Sequence, residues 1–386
     1  MRIGRSILRF AILRHGNNLP FPLRVSLVPF VSLWLIFFEP QRHKEHKDSQ
    51  RKKVQLSALY NIGRSAKGSR TSTKKWCPLR RNVKSVEYRR HSSRLCTAFF
   101  PYHNNMSQAP INIIAESLND SVPSTHELYA SGNMDGIREL AKFQDEQGAV
   151  YVDVNVGSYP ADFFVQVIRE VQSATKKPLA LDSPDPALIE AGLKAYDDSA
   201  GLPILNSISP LRQELFELYK LKKFRPILLI SEGASGACHT ADETMESAKL
   251  LLSIAQSLDI PNDDLIFDPG VAPIGSDSEG NLVRLMETMR RFHADPMFAG
   301  CHASVGLSNF TVMLPPKRKD GSPVRSPLES AFLTRTMPLG LDYVIGSVKR
   351  KYELLPDDHP AQQCFDDCVK LGGIDSIMRV RQFYKG

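Results

Sequence analysis

The sequence predicts an α/β protein, a (β/α)8 barrel over residues 106–386, preceded by a basic leader. Three observations carry this. Eight short apolar runs each lead into a helical pattern, as a fully buried parallel sheet requires. Most of the runs finish on a polar or acidic residue, and a closed barrel gathers such strand ends into one site. The segment has 281 residues, close to the ~250 typical of a single barrel.

The elements follow in order. Strand one is Ile111–Glu116, and a helix over Ser131–Gln147 carries Ile137, Leu140, Ala141 and Phe143 on one side before Gly148. Strand two is Val150–Gly157 and strand three Pro178–Ser183. Asp185-Pro186 then places a capping carboxylate before a proline suited to the first helical position, so Ala187–Tyr196 reads as a helix. Strand four is Pro203–Ser207, followed by a helical stripe of Leu215, Leu218, Tyr219 and Leu221. Strand five is Pro226–Glu232, and Thr240–Leu258 is the fifth helix, with Met245, Ala248, Leu251, Leu252 and Ala255 inward. Strands six, seven and eight are Leu265–Gly270, Ser304–Asn309 and Leu341–Ser347. Two long connections, Gly270–Gly280 and Phe310–Ser326, follow strands six and seven, where barrel loops cover or recognise ligands.

Charge divides the chain. Residues 1–105 hold 22 Lys+Arg and 4 Asp+Glu, a net of +18, whereas residues 106–386 hold 27 and 38, a net of −11. The overall +7 describes neither part, so it does not indicate a nucleic-acid partner. The leader lacks periodicity, and its apolar stretch Val25–Phe38 is too short to span a membrane. Signal-peptide, transit-peptide and basic-tail readings all remain open for it. The preferred expectation is a start at Met106, because a leader of this composition cannot fold alone. Six cysteines form no zinc pattern, although Cys364 and Cys368 are four apart on the last helix. Ordinary, partly buried thiols in a reducing, cytoplasmic compartment are the expectation, with no metal on this chain.

The polar strand ends, Glu116, Asp153, Asn155, Asp182, Asn206, Asp268 and Asn309, are rich in Asp and Asn, and His302 is the one His assigned to them. There is no HExxH, Walker loop, GxGxxG or GxSxG. Paired acids would suit a glycosidase, but both Trp residues, Trp34 and Trp76, lie in the leader and leave the barrel without one as a sugar platform. Asp and Asn suit the edge of a flat heterocycle that displays adjacent N–H donors. A pterin presents such an edge, a ring N3–H beside an amino group, matched by the two oxygens of one carboxylate.

The stretches VDVNVG (Val152–Gly157), LDSPDPALIEAGLKAY (Leu181–Tyr196), LNS (Leu205–Ser207), DLIFDP (Asp264–Pro269) and GLSN (Gly306–Asn309) resemble the pterin-binding family. Their order and spacing are most similar to methyltetrahydrofolate:corrinoid methyltransferases and the folate domain of cobalamin-dependent methionine synthase. Asp268–Gly270 also resembles dihydropteroate synthase. The resemblance implies that Asp182, Asn206 and Asp268 bind the pterin ring and that Asn309 is the catalytic contact to N5. Gly306 and Ser308 would shape that wall, and Asp153 and Asn155 would line the floor. The chain departs from the family at Ala115-Glu116-Ser117, where a Gly-Glu-Arg-like sequence is usual, and at Ile208-Ser209, where Thr-Asn is common.

The implied reaction moves a methyl group from N5 of a tetrahydropterin, tetrahydrofolate or tetrahydromethanopterin, to a corrinoid on a partner protein. The alternatives are a dihydropteroate synthase-like condensing enzyme and a non-catalytic pterin-binding protein. The condensing enzyme would need Lys and Arg late in the barrel for pyrophosphate, which Lys349-Arg350 matches in part. Lys317, Arg318, Lys319 and Arg325 form a basic cluster after strand seven on an otherwise acidic domain, and are expected to meet the acidic tail of the carrier. No nucleic-acid or membrane partner is expected, and a homodimer is compatible with the sequence.

Overall fold

The computed structural model describes residues 109–386. The basic leader and the start at Met106 lie outside the described residues. Eight strands form the barrel: β1 (Asn112–Asn119), β2 (Tyr151–Asn155), β3 (Leu179–Asp182), β4 (Ile204–Ile208), β5 (Arg225–Leu229), β6 (Ile266–Asp268), β7 (His302–Gly306) and β8 (Leu341–Gly346). Each pairs in parallel with its neighbours in chain order, and β8 pairs with β1 to close the ring. The helices are α1 (Pro123–Ser131), α2 (Met134–Glu146), α3 (Ala161–Ala174), α4 (Pro186–Ala195), α5 (Ala241–Ser257), α6 (Asn281–Ala294), α7 (Leu307–Thr311), α8 (Arg325–Thr336), α9 (Pro360–Leu371) and α10 (Gly373–Lys385).

Strand side chains alternate between two faces, so residues two apart share a face. One face points into the barrel, where Ile114, Tyr151, Ala180, Ile204, Ile227, Ile266 and Tyr343 form a single apolar tier drawn from seven strands. The other face meets the helices. Val152, Leu181, Leu205, Phe267 and Val305 belong to a larger core with Phe164 of α3, Ile189 of α4, Leu251 of α5 and Phe332 of α8. Burying each such side chain stabilises by about 1.5–3 kcal/mol.

Two residues beyond the inner apolar tier come Glu116, Asp153, Asp182, Asn206 and Asp268. The same alternation that fills the barrel therefore sets a polar tier on top of it. Beneath the apolar tier, the Arg225 guanidinium donates to the Tyr343 hydroxyl at 2.9 Å and to the Asp263 carbonyl at 2.5 Å.

Caps agree with the local sequence. Asp185 accepts from the Ala187 N–H at 2.8 Å, and Thr240 and Glu243 form a reciprocal capping box at α5. The helix expected over Ser131–Gln147 is α2, Met134–Glu146, capped by Asn133 accepting from Gly136; a separate helix, α1, precedes it and stops at Gly132, whose φ of 63° ends it. The stripe around Leu215–Tyr219 winds as a 3-10 segment, Gln213–Lys220. Strand one runs past Glu116 to Asn119, and strand seven stops at Gly306, so Ser308 and Asn309 lie in the first turn of α7 rather than on the strand. His302 begins β7 instead of ending it; it bonds Asp342 at the opposite end from the polar tier. No described helix is long and apolar enough to cross a membrane.

Candidate functional site

Asp182 and Asn206 end β3 and lie within β4, where they face each other as register partners. Asn155, at the end of β2, donates from Nδ2 to Asp182 Oδ2 at 2.9 Å, while its own Oδ1 accepts from the Gly157 N–H at 2.8 Å. One carboxylate oxygen of Asp182 is thereby held, and the other carries no hydrogen bond to the protein. Burial lifts the Asp182 carboxyl to about 6; the Asn155 amide and the nearby Arg212 charge oppose the rise.

Asp268 ends β6 and is 6% exposed. Its Oδ1 accepts from the Gly270 N–H at 2.7 Å and its Oδ2 from Ser304 Oγ at 3.4 Å. Burial pushes its carboxyl to about 7, against the pull of those two donors and of Arg284. Gly270 has a φ of 66°, and a Cβ there would lie 2.4 Å from Ser231 Oγ, so the turn that delivers its N–H to Asp268 requires glycine.

Asp153 lies below them on β2. It is 1% exposed, and neither oxygen has a full hydrogen-bond partner. Burial, then the charges of Asp182 and Glu116, hold its proton well above the usual carboxylate range, with Asn206 in weak opposition. The shift favours the protonated form of Asp153, which can donate a hydrogen bond.

The wall across the barrel comes from β7, four strands from β3 in the closed ring. Gly306 ends that strand, and a Cβ on it would lie 2.8 Å from Asn309 Nδ2. The missing side chain lets the Asn309 amide lie over the backbone at the strand end. Ser308 Oγ donates to Glu116 Oε2 at 2.8 Å, linking α7 to β1. Burial raises the Glu116 carboxyl, and Ser308 and Arg350 restrain the rise.

The structure therefore gathers Asp153, Asn155, Asp182, Asn206, Asp268, Gly306, Ser308 and Asn309 at one end of the barrel. Two members of the basic cluster are engaged within the protein. Arg325 donates from Nε and Nη2 to the Leu314 carbonyl at 2.8 and 2.6 Å, and Arg318 lies 4.0 Å from the centre of the Phe383 ring. Lys317 and Lys319 alone of the four are exposed. The loop fold explains the division, since Lys317 bridges Pro323 and Arg318 N bonds the Ser322 carbonyl at 2.8 Å.

Three contributors were missed or underweighted in the sequence. Arg212 is 6% exposed and donates from Nη2 to the Ser183 carbonyl at 3.0 Å, beside Asp182, while Nε and Nη1 lack partners. Glu232, also buried, has its carboxyl raised by burial and restrained by Ser209 and Arg212. Arg284 on α6 donates to the Pro269 carbonyl at 3.0 Å and braces the turn after β6. Arginines after Ser-Pro-Leu or inside a helix carry no local signature of such roles. Among the described residues, no three His, Cys, Asp or Glu side chains converge as a metal site, and Cys364 and Cys368 are fully buried on α9.

Fold and site together define a parallel α/β barrel with a cluster of buried polar side chains at the strand ends. Residues 119–346 match the family described as pterin binding enzyme, and the chain belongs to it. It is 25% identical over 243 residues to the methylcorrinoid:tetrahydrofolate methyltransferase of Eubacterium limosum, covering 60% of this chain and 83% of that protein. Among solved structures it is similar to 7,8-dihydropteroate synthase from Vibrio fischeri ES114, with 16% identity, a TM-score of 0.44 and coverage of 71% and 92% of the two chains. The Yersinia pestis dihydropteroate synthase with a pterine-sulfa conjugate aligns at 15% identity, a TM-score of 0.44 and coverage of 62% and 89%.

Proposed function

We propose that this chain is a pterin-dependent methyltransferase that carries a methyl group between N5 of a tetrahydropterin and the cobalt of a corrinoid on a partner protein. The observation that carries the reading is the Asp182–Asn206 register pair, with Asp268 two strands further round the ring and Asn309 across the barrel. Asp182 has one oxygen committed to Asn155 and the other free. It suits the N3–H and amino edge of a pterin, and Asn206 and Asp268 extend the grip along the ring. Asn309 then faces the far side of the ring, toward N5.

Removing a methyl group from N5 is the demanding direction. The C–N bond breaks, its electron pair stays on nitrogen, and the methyl group bonds to the cobalt(I) electron pair. The nitrogen must gain a proton or a strong hydrogen bond as this happens. The amide of Asn309 is too weak an acid to give up a proton, but it orients the nitrogen and the groups around it. Asp268, with a carboxyl near 7, and Asp153 below it, whose carboxyl is raised by burial, are the nearby groups able to exchange a proton. In the reverse direction the same groups accept the proton that N5 releases.

The name of the Eubacterium limosum relative couples a methylcorrinoid to tetrahydrofolate, which favours this chemistry over the condensing alternative. Lys349 and Arg350 also fit pyrophosphate poorly: Arg350 bonds the buried Glu329, and Lys349 lies 5.3 Å from the centre of the Phe143 ring. The test is to titrate the protein with tetrahydrofolate and 5-methyltetrahydrofolate, then follow methyl transfer with free cob(I)alamin and, in reverse, methylcobalamin. Transfer in either direction is expected. Binding without transfer to these or to corrinoid proteins favours a binding protein, and condensation of a pterin diphosphate with p-aminobenzoate favours the synthase.

A further inference from the structure

Helix α7 carries Asn309 and spans five residues, with no side-chain cap at its N-terminus. So short a helix has no stability of its own, and its direction comes from what it touches. Leu307 and Phe310 are buried beneath it. Its two hydroxyls flank Asn309, and each donates to a carboxylate on another element: Ser308 to Glu116 of β1, and Thr311 to Glu329 of α8.

Glu329 is fully buried. Its Oε1 receives both Thr311 Oγ1 and Arg350 Nη1, and its Oε2 has no partner. The Arg350 charge also acts on Glu116, so one guanidinium after β8 serves both carboxylates that hold α7. Burying an ion pair is costly, and apolar side chains of similar size commonly give equal or greater stability. A fully buried Glu329 paired with a partly buried Arg350, with one carboxylate oxygen unmet, is therefore poorly explained by stability alone. It is better explained by the direction it imposes on Thr311.

We propose that Glu329, held by Arg350, is a positioning residue that fixes the Asn309 amide through Thr311. This rests on the reading of Asn309 as the contact to N5. Losing the Thr311 hydroxyl frees α7 to turn by a fraction of a helical step. That displaces the amide from its place over Gly306 without touching the ring grip of Asp182, Asn206 and Asp268.

The test uses the full chain with 5-methyltetrahydrofolate and free cob(I)alamin. Thr311→Val should lower kcat by about tenfold or more, since small misplacements of a reacting contact are costly. The dissociation constant for 5-methyltetrahydrofolate should stay within about twofold, because the loss falls on the transition state. Thr311→Ser should restore the rate, and Glu329→Gln, which keeps an acceptor, should lose less than Thr311→Val. In an Asn309→Ala background, Thr311→Val should cost nothing further. An unchanged kcat, an equal loss in affinity, no rescue by serine or an additive loss in the double variant each overturns the proposal. If the unaltered chain transfers no methyl group, the methyltransferase reading fails separately. A crystal structure of Thr311→Val then decides the positioning role: an Asn309 amide displaced from Gly306 supports it, and one left in place refutes it.

Discussion

Asn155 and Asp182 are joined at 2.9 Å across the ends of β2 and β3, and the remaining oxygen of Asn155 is tied to the Gly157 backbone. The Asn155 amide therefore has one orientation, donor toward Asp182. It holds Asp182 Oδ2 and leaves Oδ1 without a protein hydrogen bond. On the proposed reading, the pterin grip would depend on this pair as well as on the carboxylate alone.

Asp182→Ala is expected to abolish measurable pterin binding. It removes the acceptor of two ring donors, and each hydrogen bond to a charged group is worth about 1.5–3 kcal/mol. The carboxyl near 6 adds a pH signature. The ring donors prefer the ionised form, so affinity should hold above pH 6 and fall toward tenfold per unit below it. Calorimetric titration of unaltered protein and variant from pH 5 to 8 checks both. Full affinity in a folded variant would remove Asp182 from the site.

Asn309→Ala is expected to separate binding from chemistry. If the amide orients N5 while the methyl group leaves, kcat should fall by about a hundredfold, within the range known for positioning contacts. The pterin dissociation constant should change much less. Stopped-flow transfer to cob(I)alamin, set beside equilibrium binding, measures the two. Equal losses would make Asn309 an ordinary ring contact.

The loop after α7 offers a narrower electrostatic surface than its sequence suggests. With Arg325 spent on Leu314 and Arg318 stacked on Phe383, only Lys317 and Lys319 remain to meet an acidic carrier tail. Exposed charge pairs give about 0.2–1 kcal/mol each and are screened by salt. Lys317→Ala with Lys319→Ala should therefore raise KM a fewfold for a long polyglutamyl carrier at low salt. The monoglutamyl form should change little, and the difference should vanish at high salt. A uniform rise for both carriers would instead assign the lysines to docking of an acidic corrinoid protein.

Much of this site is local in origin and hence readable in the chain. The pairs Ile114 and Glu116, Tyr151 and Asp153, Ala180 and Asp182, Ile204 and Asn206, and Ile266 and Asp268 each sit two apart. Strand alternation converts that spacing into an apolar tier capped by a polar one. What escapes a sequence reading depends on contacts between distant segments. Arg212 reaches Ser183 across 29 positions, and Glu329 joins Thr311 and Arg350 from 18 and 21 positions away. The end of strand seven escapes for a different reason. Val305–Asn309 reads as a continuing strand, and the turn into α7 is set by Leu307 and Phe310 entering the core.

The buried acids also make stability depend on pH in a predictable direction. The folded chain holds a proton on Asp268 up to about pH 7, while an unfolded aspartate releases it near 3.8. Between those values the native state binds the extra proton, so stability falls as pH rises. The contribution is complete below about pH 4 and lost by about pH 7. Asp182, at about 6, acts in the same sense. His302, raised chiefly by its bond to Asp342, adds stability that is present below its ordinary 6.5 and lost as pH climbs through its higher native value. Asp268→Asn isolates the first of these. The amide oxygen can still accept from Gly270, but nothing at the position ionises. At pH 8 the variant should melt higher than the unaltered protein, by up to about 4 kcal/mol of stability, the cost of ionising a carboxyl that burial has lifted from 3.8 to about 7. At pH 4 the two should melt together. Thermal melts across that range decide it, with the difference between the proteins cancelling every other titration. An Asn variant less stable at pH 8 would mean that the Asp268 carboxylate is better solvated in the folded chain than its burial implies.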